Sequence, residues 1–321
     1  MCLISLLTIS TFFDCNPSNK KKGIVYQTKF ITGSTNNKIE VLDFGGTGQP
    51  ILFLAGFGNS AHVFVDFAPK FCDNFHVYAM TRRGFGASEQ TKNGYHMDTL
   101  TNDVLSIIKS LNLNKVILIG HSLAGDEISK FASTYPNEVD KIIYLDAAHD
   151  RFDILKPPPN TPQVNQPSPS KVDSSSLVNL KSFLTKTMGV SMPEEEIKAT
   201  SIFSKEGKYI KDVTSDEIGM KILPYLEHPN YQKINCPALA IYAKPITTDK
   251  MFGFYSSLDS VNKKRADTIF GLNQSSVKKS VELFKKEVKN GIVKEIDYAN
   301  HYIFISHPVE TENLVREFLK Y

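Results

Sequence analysis

The sequence predicts an α/β fold with a mostly parallel central sheet covered by helices on both faces. Short, fully apolar runs alternate with segments of helical period from residue 24 onward, which is typical of strands buried on both faces. The chain has 321 residues, of which 41% are apolar and 22% charged, a composition typical of a globular protein with a large buried core and not of disorder. This length is compatible with two domains or with one large domain and a cap. A hairpin pattern at the start of this region adds antiparallel strands, so we expect a mixed sheet.

The predicted elements follow in chain order. The first two strands are expected at 25–31 and 38–44, joined by a turn that contains Gly33 and two asparagines. Short apolar runs predict the other strands, at 51–54, 76–80, 116–119, 142–145, 238–242 and 292–298. Apolar residues at helical spacing predict helices between them, at 99–111 and 277–288.

Residues 151–235 interrupt this alternation. Six prolines lie between positions 157 and 169, where they hold the backbone extended and cannot donate sheet hydrogen bonds. Helices are predicted behind them at 177–188 and 193–203. A long insertion between two sheet strands is often a lid over a site, so we expect a helical cap; an inert surface elaboration is the alternative. The predicted divisions are a leader and linker at 1–23, a first core part at 24–150, a proline-rich linker and cap at 151–235, and a second core part at 236–321.

The N-terminus resembles a bacterial secretion leader. An apolar stretch at 2–13 is followed by Cys15 and a polar segment, which makes Cys15 a candidate lipid-anchored residue and predicts export or attachment to the cell envelope. No basic residue precedes the apolar stretch, and the three lysines at 20–22 place positive charge in the segment that would have to cross the membrane during export. A cytoplasmic protein with a packed or disordered N-terminal arm is therefore the alternative.

Charge and cysteine content exclude several classes of partner and site. The net charge of +3 is small and spread along the chain, so we expect no nucleic-acid partner. The four cysteines lack the spacing of a zinc site, and two of them, Cys72 and Cys236, read as buried thiols. No apolar run is long enough for a permanent membrane span. No phosphate loop or dinucleotide fingerprint is present, so no cofactor is expected; the sequence carries no signal for oligomeric state.

Ser122 is the strongest candidate for a catalytic residue. A buried strand ends at Gly120, Ser122 follows almost at once, and a helical pattern begins at Leu123. Such a strand–turn–helix context holds a serine in a strained conformation with its hydroxyl exposed at the carboxyl edge of the sheet. Small neighbours let the helix and strand backbones approach, and Gly120 and Ala124 supply them. An N-cap serine without chemistry is the alternative.

Four segments in this order resemble the α/β-hydrolase fold superfamily, and the similarity covers nearly the whole chain from residue 24. Residues 120–125 (Gly-His-Ser-Leu-Ala-Gly) resemble its nucleophile elbow, and residues 82–88 (Arg-Arg-Gly-Phe-Gly-Ala-Ser) resemble its R-G-x-G-x-S turn. Residues 55–58 (Ala-Gly-Phe-Gly) resemble its oxyanion loop, with alanine replacing the usual histidine. Asn300 and His301 resemble its catalytic histidine turn.

The resemblance implies roles for these positions. The backbone N–H groups of Phe57 and Leu123 would form the oxyanion hole, and His301 would be the general base. His121 adjoins the nucleophile, although its side chain is expected to leave the turn in another direction. His121, Phe57 and Phe64 are expected to line the substrate pocket, with Phe67 nearby, and His62 and His149 could reach its rim. The other four histidines read as surface or capping residues.

The acid that orients His301 has two candidates. Many members of the superfamily place it after the strand equivalent to 238–242, but here no acid follows closely and Asp249 is the first. Asp146, at the end of the strand at 142–145, fills the other position that the superfamily uses. We favour Asp146, with Asp249 as the alternative. Asp126 and Glu127 are expected to complement the helix dipole, with Glu127 as a candidate buried support.

These residues predict a serine hydrolase that cleaves an ester or lactone, and with lower preference an amide, in a small or medium acyl substrate. The alternatives are acyl transfer or lyase chemistry on the same triad, and a non-catalytic ligand-binding protein. Relatives that cleave carbon–halogen bonds or epoxides use aspartate as nucleophile, and dehalogenases hold halide with tryptophan. Ser122 and the absence of tryptophan from the sequence exclude both readings.

Overall fold

A computed structural model describes residues 25–154 and 160–320. The predicted leader at 1–23, with Cys15, and the prolines at 157–159 lie outside the described residues. The described chain contains one eight-stranded sheet, in the order β1-β2-β4-β3-β5-β6-β9-β10, which confirms the predicted fold class. The strands are β1 Gln27–Thr32, β2 Lys38–Gly45, β3 Gln49–Leu54, β4 Phe75–Met80, β5 Val116–His121, β6 Val139–Leu145, β7 Ser201–Phe203, β8 Tyr209–Asp212, β9 Ala238–Lys244 and β10 Gly291–Asp297.

The sheet is antiparallel at one end and parallel elsewhere. β2 runs antiparallel to both β1 and β4, whereas the pairs from β4 through β10 are all parallel. The carboxyl ends of β3, β5, β6 and β9 therefore meet at one edge, where ligands bind in open α/β sheets. The helices are α1 Met97–Ser110, α2 Ala124–Thr134, α3 Arg151–Ile154, α4 Leu177–Met188, α5 Glu194–Thr200, α6 Asp216–Met220, α7 Thr248–Met251, α8 Ser260–Glu287, α9 Ile303–Ser306 and α10 Pro308–Leu319.

The two faces of the sheet belong to two hydrophobic cores. In β3, Ile51 and Phe53 pack into one core, and Leu52 and Leu54 pack into the other. All four side chains are buried, which explains why the central strands are apolar throughout and do not alternate with polar residues. Because these strands are held on both faces, the ends that carry the candidate site have rigid support.

The region at 151–235 contains α3 to α6 and a small hairpin that the periodicity did not predict. The helix expected at 193–203 ends at Thr200, and β7 follows and pairs with β8. Ser201, Ile202 and Phe203 include β-branched and aromatic residues, which favour strands over helices. The helix expected at 177–188 is present with those bounds.

The helix expected at 277–288 is the C-terminal part of a much longer helix, α8. Its N-terminal half is largely polar and buries only Ala266, whereas Ser280, Val281 and Phe284 lie buried against the sheet. An apolar stripe exists only where a helix packs, so the sequence revealed only the packed half. In the described part of the chain, no helix is both long enough and apolar enough to cross a bilayer.

Candidate active site

Ser122 occupies the tight turn between β5 and α2. Its φ is 51°, a left-handed backbone conformation that a non-glycine residue adopts only when the surrounding structure imposes it. The turn is crowded, because a Cβ on Gly125 would lie 1.9 Å from the carbonyl oxygen of Ala147. Position 125, directly after Ala124, therefore requires glycine. The close approach of the two backbones at this position places α2 against the end of β6.

Asp146 lies beside Ser122, one residue beyond the end of the neighbouring strand β6. It also has a positive φ, of 46°. One carboxylate oxygen, Oδ2, lies 2.6 Å from His301 Nδ1, and Oδ1 accepts a hydrogen bond of 3.0 Å from the backbone N–H of Ala243. The carboxylate is thus fixed by the adjacent strand β9 and oriented toward the ring of His301.

A second histidine approaches the same carboxylate. His149 Nε2 lies 3.3 Å from Asp146 Oδ1, close enough to donate its proton. Burial disfavours the charged form of Asp146, but the hydrogen bonds from His149 and His301 outweigh it and hold the pKa of this carboxyl well below its ordinary value. Burial also lowers the pKa of His149, although Asp146 opposes the shift. Asp146 is therefore ionised at neutral pH.

His301 is half-exposed, with 45% of its side chain accessible. Because Nδ1 donates to Asp146, the other ring nitrogen, Nε2, carries the lone pair that a base needs. Among the described residues, no hydrogen bond engages Nε2 and none joins it to the hydroxyl of Ser122. Hydrogen bonds of this kind are often long without substrate and shorten in the complex.

His121 lies between the turn that holds Ser122 and the turn that holds His301. Its ring is 1% exposed, its Nε2 is 3.2 Å from the carbonyl oxygen of His301, and its centroid is 4.7 Å from that of the His301 ring. Burial and the neighbouring His301 lower the pKa of His121 well below its ordinary value. The expectation that His121 binds substrate is therefore wrong: it is a neutral, buried spacer that links the two turns.

The predicted oxyanion loop packs directly against the turn that holds Ser122. A Cβ on Gly56 would lie 3.0 Å from Cβ of Ser122, so a side chain at this position would collide with the turn. Within the described part of the chain, no hydrogen bond engages the backbone N–H of Phe57 or of Leu123. Both donors are therefore available to a negative oxygen beside Ser122.

A buried ion pair holds this loop from behind. Arg82 binds Glu127, and its Nη2 and Nη1 donate to the carbonyl oxygens of Ala55, at 2.8 Å, and Gly56, at 3.2 Å. Arg82 and Glu127 are 3% and 2% exposed. Fixing two successive carbonyls fixes the peptide planes that lead to Phe57. Glu127 is thus a buried support, one of the two roles that the sequence left open for it.

The structure corrects other site expectations. Phe64 is fully buried and packs with tilted rings against Phe53 and Phe304 in the core, so it does not line a pocket; Phe67 is buried there too. The alternative acid, Asp249, is exposed on α7, and in the described chain it forms no hydrogen bond with His301. Asp126 is buried and pairs with Arg151 at 2.8 Å, and so does more than complement the helix dipole.

One residue that sequence reasoning missed is Glu196, on α5 of the insertion. It is 3% exposed and accepts hydrogen bonds from the side chain of Asn59 and from the N–H and hydroxyl of Ser60. Asn59 follows the oxyanion loop and accepts a bond from the hydroxyl of Tyr302, next to His301. Burial raises the pKa of Glu196 to about 7, against these hydrogen bonds. It lies in a run of three glutamates, and nothing in the sequence distinguishes it.

No three potential metal-binding side chains cluster within residues 25–154 and 160–320.

Comparison with known proteins gives a family match over residues 49–174, to the alpha/beta hydrolase fold. The chain is 30% identical over 101 residues to a 2-(acetamidomethylene)succinate hydrolase of Mesorhizobium japonicum, which is 32% of this chain and 36% of that protein. It is 32% identical over 120 residues to a non-heme chloroperoxidase of Streptomyces lividans, which is 36% of this chain and 44% of that protein. The chain thus spans less than half the length of each of these two relatives.

Solved structures extend the likeness beyond these segments. The crystal structure of an E-2-(acetamidomethylene)succinate hydrolase superposes with a TM-score of 0.68 at 17% identity, and covers 92% of this chain and 100% of that one. At this identity the likeness concerns the fold alone. The family match includes β3, β5 and β6, whose ends carry Phe57, Ser122 and Asp146. Residues 49–174 thus match the α/β-hydrolase family, and the described chain shares the α/β-hydrolase fold.

Proposed function

We propose that this protein is a serine hydrolase that cleaves a carboxylic ester or lactone through an acyl-enzyme on Ser122. The observation that carries the proposal is the convergence of three features at one sheet edge. These are the strained turn of Ser122, the Asp146–His301 pair on the neighbouring strand ends, and the two free N–H groups of Phe57 and Leu123.

In the proposed reaction, Nε2 of His301 takes the proton of Ser122 as its oxygen attacks the substrate carbonyl. The negative oxygen of the tetrahedral intermediate accepts hydrogen bonds from Phe57 N–H and Leu123 N–H. Asp146 stabilises the imidazolium and keeps the proton on Nδ1. His301 then protonates the leaving alcohol, and water, activated by the same ring, releases the acid and regenerates Ser122.

A fluorophosphonate probe tests the nucleophile directly. We expect the full-length protein to gain one covalent adduct on Ser122, detected by intact mass and peptide mapping, and Ser122→Ala to gain none. His301→Gln should slow labelling by roughly 10³-fold or more, because the hydroxyl then lacks its base. Equal labelling of the wild type and Ser122→Ala would overturn the proposal.

Product analysis separates hydrolysis from acyl transfer. With p-nitrophenyl butyrate and a competing alcohol, a hydrolase releases mainly butyrate, whereas an acyltransferase releases mainly the new ester. We expect butyrate to dominate. Binding of ligand without turnover, together with no probe labelling, would favour a non-catalytic protein.

A further inference from the structure

A cleft is lined by residues of the predicted oxyanion loop and by residues of the insertion. It has a volume of about 550 Å³, within the range of roughly 300–1,000 Å³ typical of small-molecule sites. Phe57 and Gly58 of the oxyanion loop line this cleft, which we call the cap cleft. Gly56, the preceding residue, packs on Ser122, so Phe57 joins the cleft to the site of the proposed reaction, and Ser122 itself is not among the described lining residues.

The walls of the cap cleft are mostly apolar. The apolar side chains include Phe85 of the core, Leu184 and Met188 of α4, Ile197 of α5, Met220 of α6, and Met192 from the segment between α4 and α5. Methionine side chains are flexible and adapt to irregular apolar ligands. Such walls suit an aliphatic chain and tolerate differences in its length.

The charged groups of the cap cleft are all of one sign. Three carboxylates line it, Glu196, Asp212 and Asp216, and none of the described lining residues is lysine, arginine or histidine. Glu196 is buried and already accepts hydrogen bonds from Asn59 and Ser60, so the exposed Asp212 and Asp216 supply the negative charge of the cleft. An anionic ligand group would lose part of its hydration here, would find hydroxyl and amide donors but no cation, and would be repelled by Asp212 and Asp216.

The leaving group is expected on the other side of the site. It must receive a proton from His301, and no residue of the histidine turn is among the described residues that line the cap cleft. The acyl chain is bonded to the same carbonyl carbon and extends away from the leaving group. It is therefore the part of the substrate that would enter the cleft.

We propose that the cap cleft is the acyl-binding site and that it selects an uncharged aliphatic acyl group while rejecting one that ends in a carboxylate. This inference rests on the proposed serine hydrolase activity. It defines the substrate class as esters or lactones of simple fatty acids or their neutral derivatives, and excludes half-esters of dicarboxylic acids.

Two esters with the same leaving group and the same number of carbons test the selection. They are p-nitrophenyl octanoate and the mono-p-nitrophenyl ester of octanedioic acid, which differ only in a terminal methyl or carboxylate. We expect kcat/KM for octanoate to exceed that for the half-ester by about thirtyfold or more. Equal values, or faster cleavage of the half-ester, would overturn the inference.

A matched pair of charge reversals on α6 tests the cause. Asp216 lines the cap cleft, whereas its neighbour Glu217 does not and instead pairs with Lys221 on the surface. Asp216→Lys should reduce the preference for octanoate by about tenfold, because it places a cation beside the bound chain. Glu217→Lys makes the same change of net charge on the same helix turn and should leave the preference unchanged. Equal effects of the two variants on the preference would show that the charge lining the cap cleft does not select between the two esters.

The probe separates this inference from the proposed function. If neither ester is cleaved and the fluorophosphonate does not label Ser122, the proposed function fails. If Ser122 is labelled and both esters are cleaved at similar rates, the activity stands and only the selection fails.

Discussion

Two neighbouring residues, Ser122 and Asp146, share an unusual backbone conformation. Both have a positive φ, at the ends of adjacent parallel strands. Such a conformation costs about 1–3 kcal/mol for a non-glycine residue, so the fold holds both side chains in place against a local preference. The candidate nucleophile and acid are thus positioned by the same device, a sharp turn directly after a buried strand.

Exchanging the acid for its amide tests this placement. Asp146→Asn should lower kcat for p-nitrophenyl butyrate by roughly 10³-fold or more, because the amide favours the wrong tautomer of His301 and does not stabilise its cation. Asp249→Asn should stay within twofold of the wild type, because Asp249 is exposed on α7. Steady-state kinetics of both variants measure this. A large loss in Asp249→Asn with none in Asp146→Asn would identify the other aspartate as the acid.

Part of this residue-level arrangement could be predicted from the sequence. The small residues around Ser122 indicate a tight turn by local chemistry. The sequence does not reveal that Phe64 is buried, because the 3-10 helix that contains it spans only Ala61–Phe64 and is too short to show a periodicity. The contact of His149 with Asp146 was not predicted, since it depends on how the chain turns after β6.

At the scale of elements, the sheet was predictable and the insertion was less so. Strands buried on both faces are apolar throughout, and this signal is strong in β3, β5, β6 and β9. The hairpin of β7 and β8 is short and half-exposed, so its pattern is weak. The polar N-terminal half of α8 has no apolar stripe in the sequence, because only Ala266 is buried there.

Two glycine-to-alanine changes test the packing of elements. Gly125→Ala should destabilise the protein by about 2 kcal/mol or more, because the new methyl group meets the Ala147 carbonyl and forces α2 away from β6. Gly271→Ala, in the exposed part of α8, meets nothing within 4 Å and should stabilise by about 0.5–1 kcal/mol. Urea unfolding midpoints report both. A neutral Gly125→Ala would show that α2 can shift freely, which would contradict the close approach seen here.

At the scale of the whole molecule, the insertion and the core are joined through buried polar contacts. Glu196 and Ser60 are 136 positions apart in the sequence, and their contact continues through Asn59 to Tyr302, near the C-terminus. Three distant parts of the chain therefore meet beside the oxyanion loop. A single sequence carries no signal for such a contact, because each partner alone looks like an ordinary polar residue.

This contact should make the stability of the molecule depend on pH in a way that Glu196→Gln removes. Burial raises the pKa of Glu196 from 4.5 to about 7, so between pH 8 and 5.5 the folded protein takes up a proton there while the unfolded chain does not. Stability therefore rises as pH falls. Burial lowers the pKa values of His62, His121 and His149. These three shifts reduce stability as pH falls below about 6.5, because the unfolded chain then binds protons that the folded protein does not.

The wild type and Glu196→Gln share these histidines, so the difference between their free energies of unfolding isolates the carboxyl group. From pH 8 to 5.5 we expect the wild type to gain about 2 kcal/mol relative to the variant, measured by urea unfolding at each pH. The control is Glu312→Gln. Its ion pairs with Arg316 and Lys70 lower the pKa of Glu312 despite partial burial, so it is ionised in both states over this range and its difference should stay constant. A flat difference for Glu196→Gln would mean that this carboxyl is already ionised in the folded protein at pH 5.5, and that water or a cation reaches it beneath the insertion.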